Sequence, residues 1–224
     1  MKSVECLKLE YDFMDWGGEM IELKKKGDSI NLSKTSMPLG EILVNLNWSV
    51  GSNEQSSGFF SSLFKNKTQN QHTDLDLGCL FELKNGKKGC VQALGNAYGS
   101  FDQIPYMQLD ADDRTGAVTG GENLRINGSR ISEIKRVLIY SFIYEGATNW
   151  SEADGVVTLT YDDGEDITVK LDEHLNGQNM CAIAMIENIN DKTFKVRRLV
   201  EYFSGHQQMD RAYKWKMKWT AGSK

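Results

Sequence analysis

The stretch "GVVTLTYDDGEDITVKLD", Gly155 to Asp172, decides the fold class. Val157 and Leu159 alternate with threonines, and Ile167, Val169 and Leu171 repeat that alternation after a turn made of aspartate, glycine and glutamate. A period of two places the apolar residues on one face and the polar ones on the other, the pattern of a half-buried strand. Two such runs joined by "YDDGED" read as an antiparallel hairpin.

The same signal recurs along the chain. It appears at "VECLKLEY" (4–11), "DSINLSK" (28–34), "ILVNLNW" (42–48), "LGCLFEL" (77–83), "RVLIYSFIY" (136–144), "MCAIAMIEN" (180–188) and "TFKVRRLVEYF" (193–203). Between these runs lie turn clusters such as "KNGKKG", "INGSR", "LNGQN" and "NINDK". At least nine strands with hairpin-type turns predict an all-β sandwich of two antiparallel sheets, with short helices at loops and near the C-terminus. "GHQQMDRAYKW", Gly205 to Trp215, lacks the alternation and is the best short helix. The following residues, Tyr213, Trp215, Met217 and Trp219, alternate with lysines, and the sequence favours an amphipathic edge strand facing the core.

The 224 residues suffice for one good-sized domain, and a formal net charge of -5 disfavours a duplex nucleic-acid binder. Neither a membrane span nor the apolar core of a signal peptide is visible, so a cytoplasmic protein is expected. The expected domain is 1–224, with a 1–20 N-terminal extension and a 51–73 flexible insertion rich in Ser, Asn and Gln, whose apolar island "FFSSLF" offers a docking patch. Cys6, Cys79, Cys90 and Cys181 form no C-x-x-C pair and read as buried free thiols. His72, His174 and His206 make no metal motif.

Two acidic elements stand out. "LDADDRTGAVTGGENL", Leu109 to Leu124, holds Asp110, Asp112, Asp113 and Glu122 in a glycine-rich run, and "TDLDLG" puts Asp74 and Asp76 two residues apart, on one face of a strand mouth. Carboxylates so close repel one another unless water or a cation neutralises them. Oxygen ligands converging from distant segments suit Ca2+, which takes six to eight, and Gly116, Gly120 and Gly121 let carbonyls turn inward. An EF-hand is excluded, because Asp110 at its first position puts Arg114 at its fifth. No P-loop, nucleophile elbow or zinc-protease helix is present. Glu145 and Glu187 end apolar runs and form a weak acid-base candidate pair.

The ordered motifs "ILVNLNW", "DLDLGCLFEL", "GNAYGS", "LDADDRTG…GGEN", "VLIYSFIYEGATNW" and "FKVRRLVEYFSGH" resemble those of the TerD family of tellurite-resistance and stress proteins, from about Ile21 onward. The resemblance implies a calcium-binding β-sandwich without catalysis, working with other proteins of a tellurite or stress-resistance operon, in the cytoplasm or in a membrane-associated complex. It places Asp74, Asp76 and Gly78 on the family's strand-end acidic motif, and Asn96 where the family carries an asparagine before its loop. Asp112, Asp113, Thr115, Gly120 and Glu122 fall on its acidic loop, with Asp110 adding a carboxylate. The implied ligands are thus Asp74, Asp76, Asp110, Asp112, Asp113, Thr115, Gly120 and Glu122, for one or two Ca2+ ions. Gly78 and Gly121 stand where the family has aspartate, Ala117 and Thr119 at positions often acidic, and Asn123 for a glutamate. These departures and the added segments point to a divergent, TerX-like or TerA-like branch. An alternative is a cyclic-nucleotide or other small-molecule binding module using Arg114, Arg125 and Arg130, and a more distant one a metal-assisted hydrolase.

Overall fold

The computed structural model describes residues 20–32, 39–48, 73–110, 121–146, 150–162, 164–171 and 177–220. The expected strand 4–11, most of the extension and insertion, Cys6, His72 and His174 lie outside them.

The opening hairpin forms as read. β10 (Gly155–Tyr161) and β11 (Ile167–Leu171) pair antiparallel, with Gly155 opposite Leu171. The other strands in chain order are β1 (Ile21–Glu22), β2 (Ser29–Asn31), β3 (Glu41–Asn47), β4 (Asp74–Leu83), β5 (Lys88–Gln92), β6 (Gly99–Ser100), β7 (Met107–Leu109), β8 (Glu122–Asn127), β9 (Ile134–Glu145), β12 (Met180–Ile189) and β13 (Thr193–Phe203). They build two sheets. Sheet A runs β1-β11-β10-β3-β8-β7-β6, and sheet B runs β2-β13-β12-β9-β4-β5. All neighbours are antiparallel except β1 and β11. The all-β sandwich expected from the alternation is the fold.

Half-buried strands form sheet A because only their alternate residues are apolar: Ile42, Val44 and Leu46 on β3, and Leu124 and Ile126 on β8, are buried between the sheets. Sheet B differs. Its central strands β4, β9 and β12 are continuous apolar runs, which demand cover on both faces. Leu75, Leu77, Cys79 and Phe81 face the inter-sheet core, while Leu80, Leu138, Tyr140, Phe142 and Met185 belong to a second cluster on the outer face.

The C-terminus supplies that cover. Helix α2 (His206–Tyr213), which follows the one-turn α1 (Trp150–Ala153), buries Met209, and the chain after it buries Trp215 completely. The edge strand expected at Tyr213 to Trp219 does not form. Tyr213 ends the helix, Lys214 caps it in the left-handed conformation, and the tail reaches Thr220 without strand pairing. Asp210 explains the difference. Its buried carboxylate accepts the backbone N–H of Lys216 (2.7 Å) and Met217 (2.9 Å) and the Trp219 Nε1–H (2.8 Å), satisfying donors that a strand would have sent to a neighbour.

Candidate metal centre

β7 and β8 are neighbours, with Leu109 opposite Leu124, so the acidic stretch is the connection of a hairpin and shorter than the sequence suggested. Leu109 closes one strand and Glu122 to Leu124 open the other. Asp112, Asp113, Thr115 and Gly120 lie outside the described residues, as do Arg114, Gly116, Ala117 and Thr119. The two ends of the stretch are fixed. The Asp110 amide donates to the Asn123 carbonyl at 2.9 Å, and Gly121 lies against β3.

Glu122 faces the interior of the sandwich and is buried at 1% exposure. Its Oε2 accepts the Leu77 amide at 2.6 Å, which joins the acidic stretch in sheet A to β4 in sheet B. Leu77 sits between the end of β5, whose last partner is Gly78, and the first residues of β4. Those first residues are the second acidic element, with Asp74 at 5% and Asp76 at 0% exposure. Just ahead of them Trp48 Nε1–H donates to the Thr73 carbonyl at 3.0 Å, pinning the end of β3 to the mouth of β4. The fold therefore brings Asp74, Asp76 and Glu122 to one end of the sandwich, at the foot of the acidic stretch. Among the described residues, no group of three or more His, Cys, Asp or Glu is close enough to hold a metal by itself.

Asp110 is placed apart. It follows the outward-facing Gln108, and both its carboxylate oxygens accept from Arg125 Nε, at 2.7 and 2.9 Å, while Arg125 also donates to Glu41 at 2.6 Å. Asp110's hydrogen bond is the main reason the Arg125 pKa is raised further. Arg125 is thereby committed to two carboxylates, and Arg130 lies over the Tyr106 ring at 5.5 Å. Of the three arginines of the small-molecule alternative, Arg125 is thus taken up by carboxylates, Arg130 is exposed, and Arg114 lies outside the described residues.

Two departures from the acidic pattern have structural causes. At Gly78 a Cβ would lie 2.7 Å from Tyr140 Cζ, so the aromatic ring fills the space that an aspartate would need. At Gly121, φ is +63° and a Cβ would lie 2.1 Å from the Leu46 carbonyl oxygen. Only glycine fits there. Asn123 points outward and accepts from Asn45 Nδ2 at 2.9 Å. Asn96 is exposed in a 3-10 turn, Leu94–Asn96.

Glu145 and Glu187 do not form a pair. Glu145 is opposite Asp74 and Glu187 is opposite Arg136, nine residues away along β9 and so about 30 Å distant. Cys79, Cys90 and Cys181 are free thiols, and burial pushes the Cys79 and Cys90 thiols up.

One feature escaped the sequence reading. Tyr140 O–H donates to Gln92 Oε1 at 2.6 Å, and His206 Nε2 meets the same oxygen at 2.9 Å. Burial lowers the His206 pKa to about 4, so the imidazole is neutral and its Nε2–H is the donor. The Tyr140 phenol is pushed well up, by burial first. Asp76, Tyr140, Gln92 and His206 thus follow one another across the outer face of sheet B. The spacing of Gln92 and His206, 114 residues apart, gave no signal of this.

A two-sheet sandwich with buried carboxylates at the start of β4 and at the start of β8 defines the class. The same fold occurs in a homologue of the telluride resistance protein TerD from Streptomyces coelicolor A3(2), with a TM-score of 0.54 at 18% identity over 77% of this chain and 95% of that one. A protein of unknown function shares it with a TM-score of 0.53 at 12% identity, over 80% and 99% of the two chains. No family model matches the chain. In sequence it is 44% identical over 204 residues to tellurium resistance protein TerA of an Alcaligenes species, which covers 91% of this chain and 58% of that protein. In sequence the chain is thus a relative of tellurium resistance protein TerA, and in fold it is like the TerD homologue. It spans little more than half the length of the TerA relative.

Proposed function

We propose that the protein is a calcium-binding, non-catalytic module of a tellurium-resistance or stress system that acts through protein partners. The observation that supports this is the placing of Asp74, Asp76 and Glu122, all nearly or fully buried, at the foot of the acidic stretch. Buried carboxylates are stabilised by a cation, and Ca2+ accepts irregular sets of oxygens at 2.3 to 2.6 Å more readily than Mg2+ does. In this reading Asp74 and Asp76 supply strand ligands, and Asp112, Asp113, Thr115 and Gly120 supply loop ligands. Glu122 orients the loop through Leu77, and Asp110 holds its outer base through Arg125. With Gly78 and Gly121 in place of acids, the site is poorer in charge and holds a single ion.

Calcium titration by calorimetry on protein stripped with chelator, with elemental analysis of the reloaded sample, tests the reading. One calcium per chain, reduced at least tenfold in affinity by Asp76→Asn, is expected. No calcium retained by wild-type protein at millimolar concentration overturns it. Magnesium should bind more weakly, since it keeps its waters and demands octahedral geometry.

A further inference from the structure

The outer face of sheet B carries a second charge pattern, opposite in sign to the first. Asp76 lies near one end of β4 and Glu82 near the other, about 20 Å away. Around Glu82 three cations gather: Lys135 at 2.8 Å, Arg136 at 2.7 Å and Lys88 at 3.8 Å. Arg136 also lies over the Trp215 ring at 3.8 Å, and Lys88 donates to the Trp215 carbonyl, so this cluster is continuous with the C-terminal tail. The tail adds Arg211, Lys214, Lys216 and Lys218, all exposed, none of which makes an ion pair among the described residues. The one acid among them, Asp210, is buried and occupied by three N–H donors. With Glu201, which accepts the Tyr213 O–H, seven cations stand beside three carboxylates here, on a protein whose formal net charge is -5.

This basic surface is grooved. A hollow of about 830 Å³ opens between the end of β5 and the start of α2, walled by Leu94, His206, Met217 and Trp219, with Arg211 and Lys218 on its rim. A second hollow of about 410 Å³ lies on the other side of the same residues, with Lys214 and Lys216 on its edge. Arg211, Met217 and Trp219 border both. The rim is held in place beforehand by Asp210 and by the left-handed conformations of Lys214 and Lys216, which lowers the ordering penalty of binding.

We infer that this grooved face docks an acidic peptide segment of a partner protein, with carboxylates on the rim cations and apolar side chains on Met217 and Trp219. The open shape suits an extended chain better than an enclosed small molecule. The apolar floor of Met217 and Trp219 suits a peptide carrying apolar side chains better than a uniform polyphosphate, which offers none. The inference rests on the reading that the protein acts through protein partners, and does not require bound calcium.

The test is fluorescence anisotropy with a fluorescein-labelled decapeptide of glutamates carrying two phenylalanines. Its glutamine counterpart, a 20-base-pair DNA duplex and vesicles of phosphatidylserine and phosphatidylcholine serve as competing probes. Expected is binding to the acidic peptide that falls at least tenfold between low and moderate salt. The same loss is expected in Arg211→Gln/Lys214→Gln/Lys216→Gln/Lys218→Gln, with none in Lys24→Gln/Lys170→Gln on sheet A. The milder Arg211→Gln/Lys218→Gln variant must lose at least threefold. Equal binding by wild-type and double variant, or tighter binding of duplex or vesicles than of peptide, overturns the inference. Repeating the titration in chelator separates the two proposals, since peptide binding that persists in a protein without calcium affinity refutes only the metal site.

Discussion

Gly78→Ala is the sharpest probe of why position 78 holds no side chain. The backbone there needs no glycine conformation, so the effect comes from space alone. The new Cβ would meet Tyr140 at 2.7 Å from Cζ and 2.8 Å from Cε2 and Oη, inside a fully buried region. Over-packing of this kind costs about 1 to 3 kcal/mol. Pushing the ring aside also breaks the buried bond from Tyr140 O–H to Gln92, adding about 1 to 2 kcal/mol for the stranded groups. A total of about 2 to 5 kcal/mol lowers the melting temperature by roughly 5 to 15 °C for a domain of this size. Tyr140→Ala alone costs about 3 to 5 kcal/mol through the cavity it leaves, but it also removes the obstacle. In that background Gly78→Ala should cost less than about 1 kcal/mol, giving a coupling well above the few tenths expected of independent sites. Urea unfolding of the four proteins measures it. If Gly78→Ala costs the same with and without the Tyr140 ring, the ring is not what excludes a side chain at this position.

Other perturbations follow from the same geometry. Calcium at a hundredfold excess over its Kd should raise stability by about 2.7 kcal/mol over a chelator-treated sample, seen by calorimetry as roughly 5 to 10 °C, and Asp76→Asn should blunt the rise. Gly121→Ala should destabilise by about 1 to 2 kcal/mol from its left-handed backbone alone, and more from the Leu46 carbonyl 2.1 Å away, in a thermal melt. His206 has its folded pKa lowered to about 4 from an ordinary 6.5, so it takes up a proton on unfolding between those values. Its contribution is present above about pH 6.5 and lost as pH falls toward 4, and His206→Gln should flatten that part of the stability profile. Asp210→Ala strands the Lys216 and Met217 amides and the Trp219 indole, so trypsin should cut after Lys214, Lys216 and Lys218 much faster than in wild type.

The fold was legible because binary alternation is a local property. Val157 and Leu159, or Ile42, Val44 and Leu46, announce a strand without reference to anything distant. β8 was missed for a physical reason: its first inward position is Glu122, so the alternation shows only Leu124 and Ile126, and the acidic residues before it look like more loop. The tail was misread for the opposite reason. Tyr213, Trp215, Met217 and Trp219 alternate with polar residues as an edge strand would, yet the Lys216 and Met217 amides and the Trp219 indole donate to the Asp210 carboxylate and the Trp215 amide to its carbonyl, on a helix that packs over sheet B. Asp74, Asp76 and Glu122 could be proposed as neighbours from charge, but the bond from Leu77 to Glu122 spans 45 residues and is set by how the two sheets stack. Neither the Tyr140 ring over Gly78 nor the Gln92–His206 contact has any local signature.

The two charged regions bear on each other through one strand. β4 carries Asp74 and Asp76 at its mouth, the excluded side chain at Gly78 in its middle and Glu82 with its three cations at its end. From Asp76 the Tyr140 ring, Gln92 and His206 lead to the start of α2, whose far end sets the basic rim. A cation at the β4 mouth would neutralise the pole facing that ring while leaving the basic face unchanged, and so reduce the charge separation along the strand. Coupling between the regions requires an element with two arrangements, and the candidate is the α2 tail, held to the sheet by Trp215 and Asp210. Calcium and an acidic peptide would then influence each other's affinity reciprocally. If the peptide's affinity is the same with chelator and with saturating calcium, the two sites share a strand and no energy.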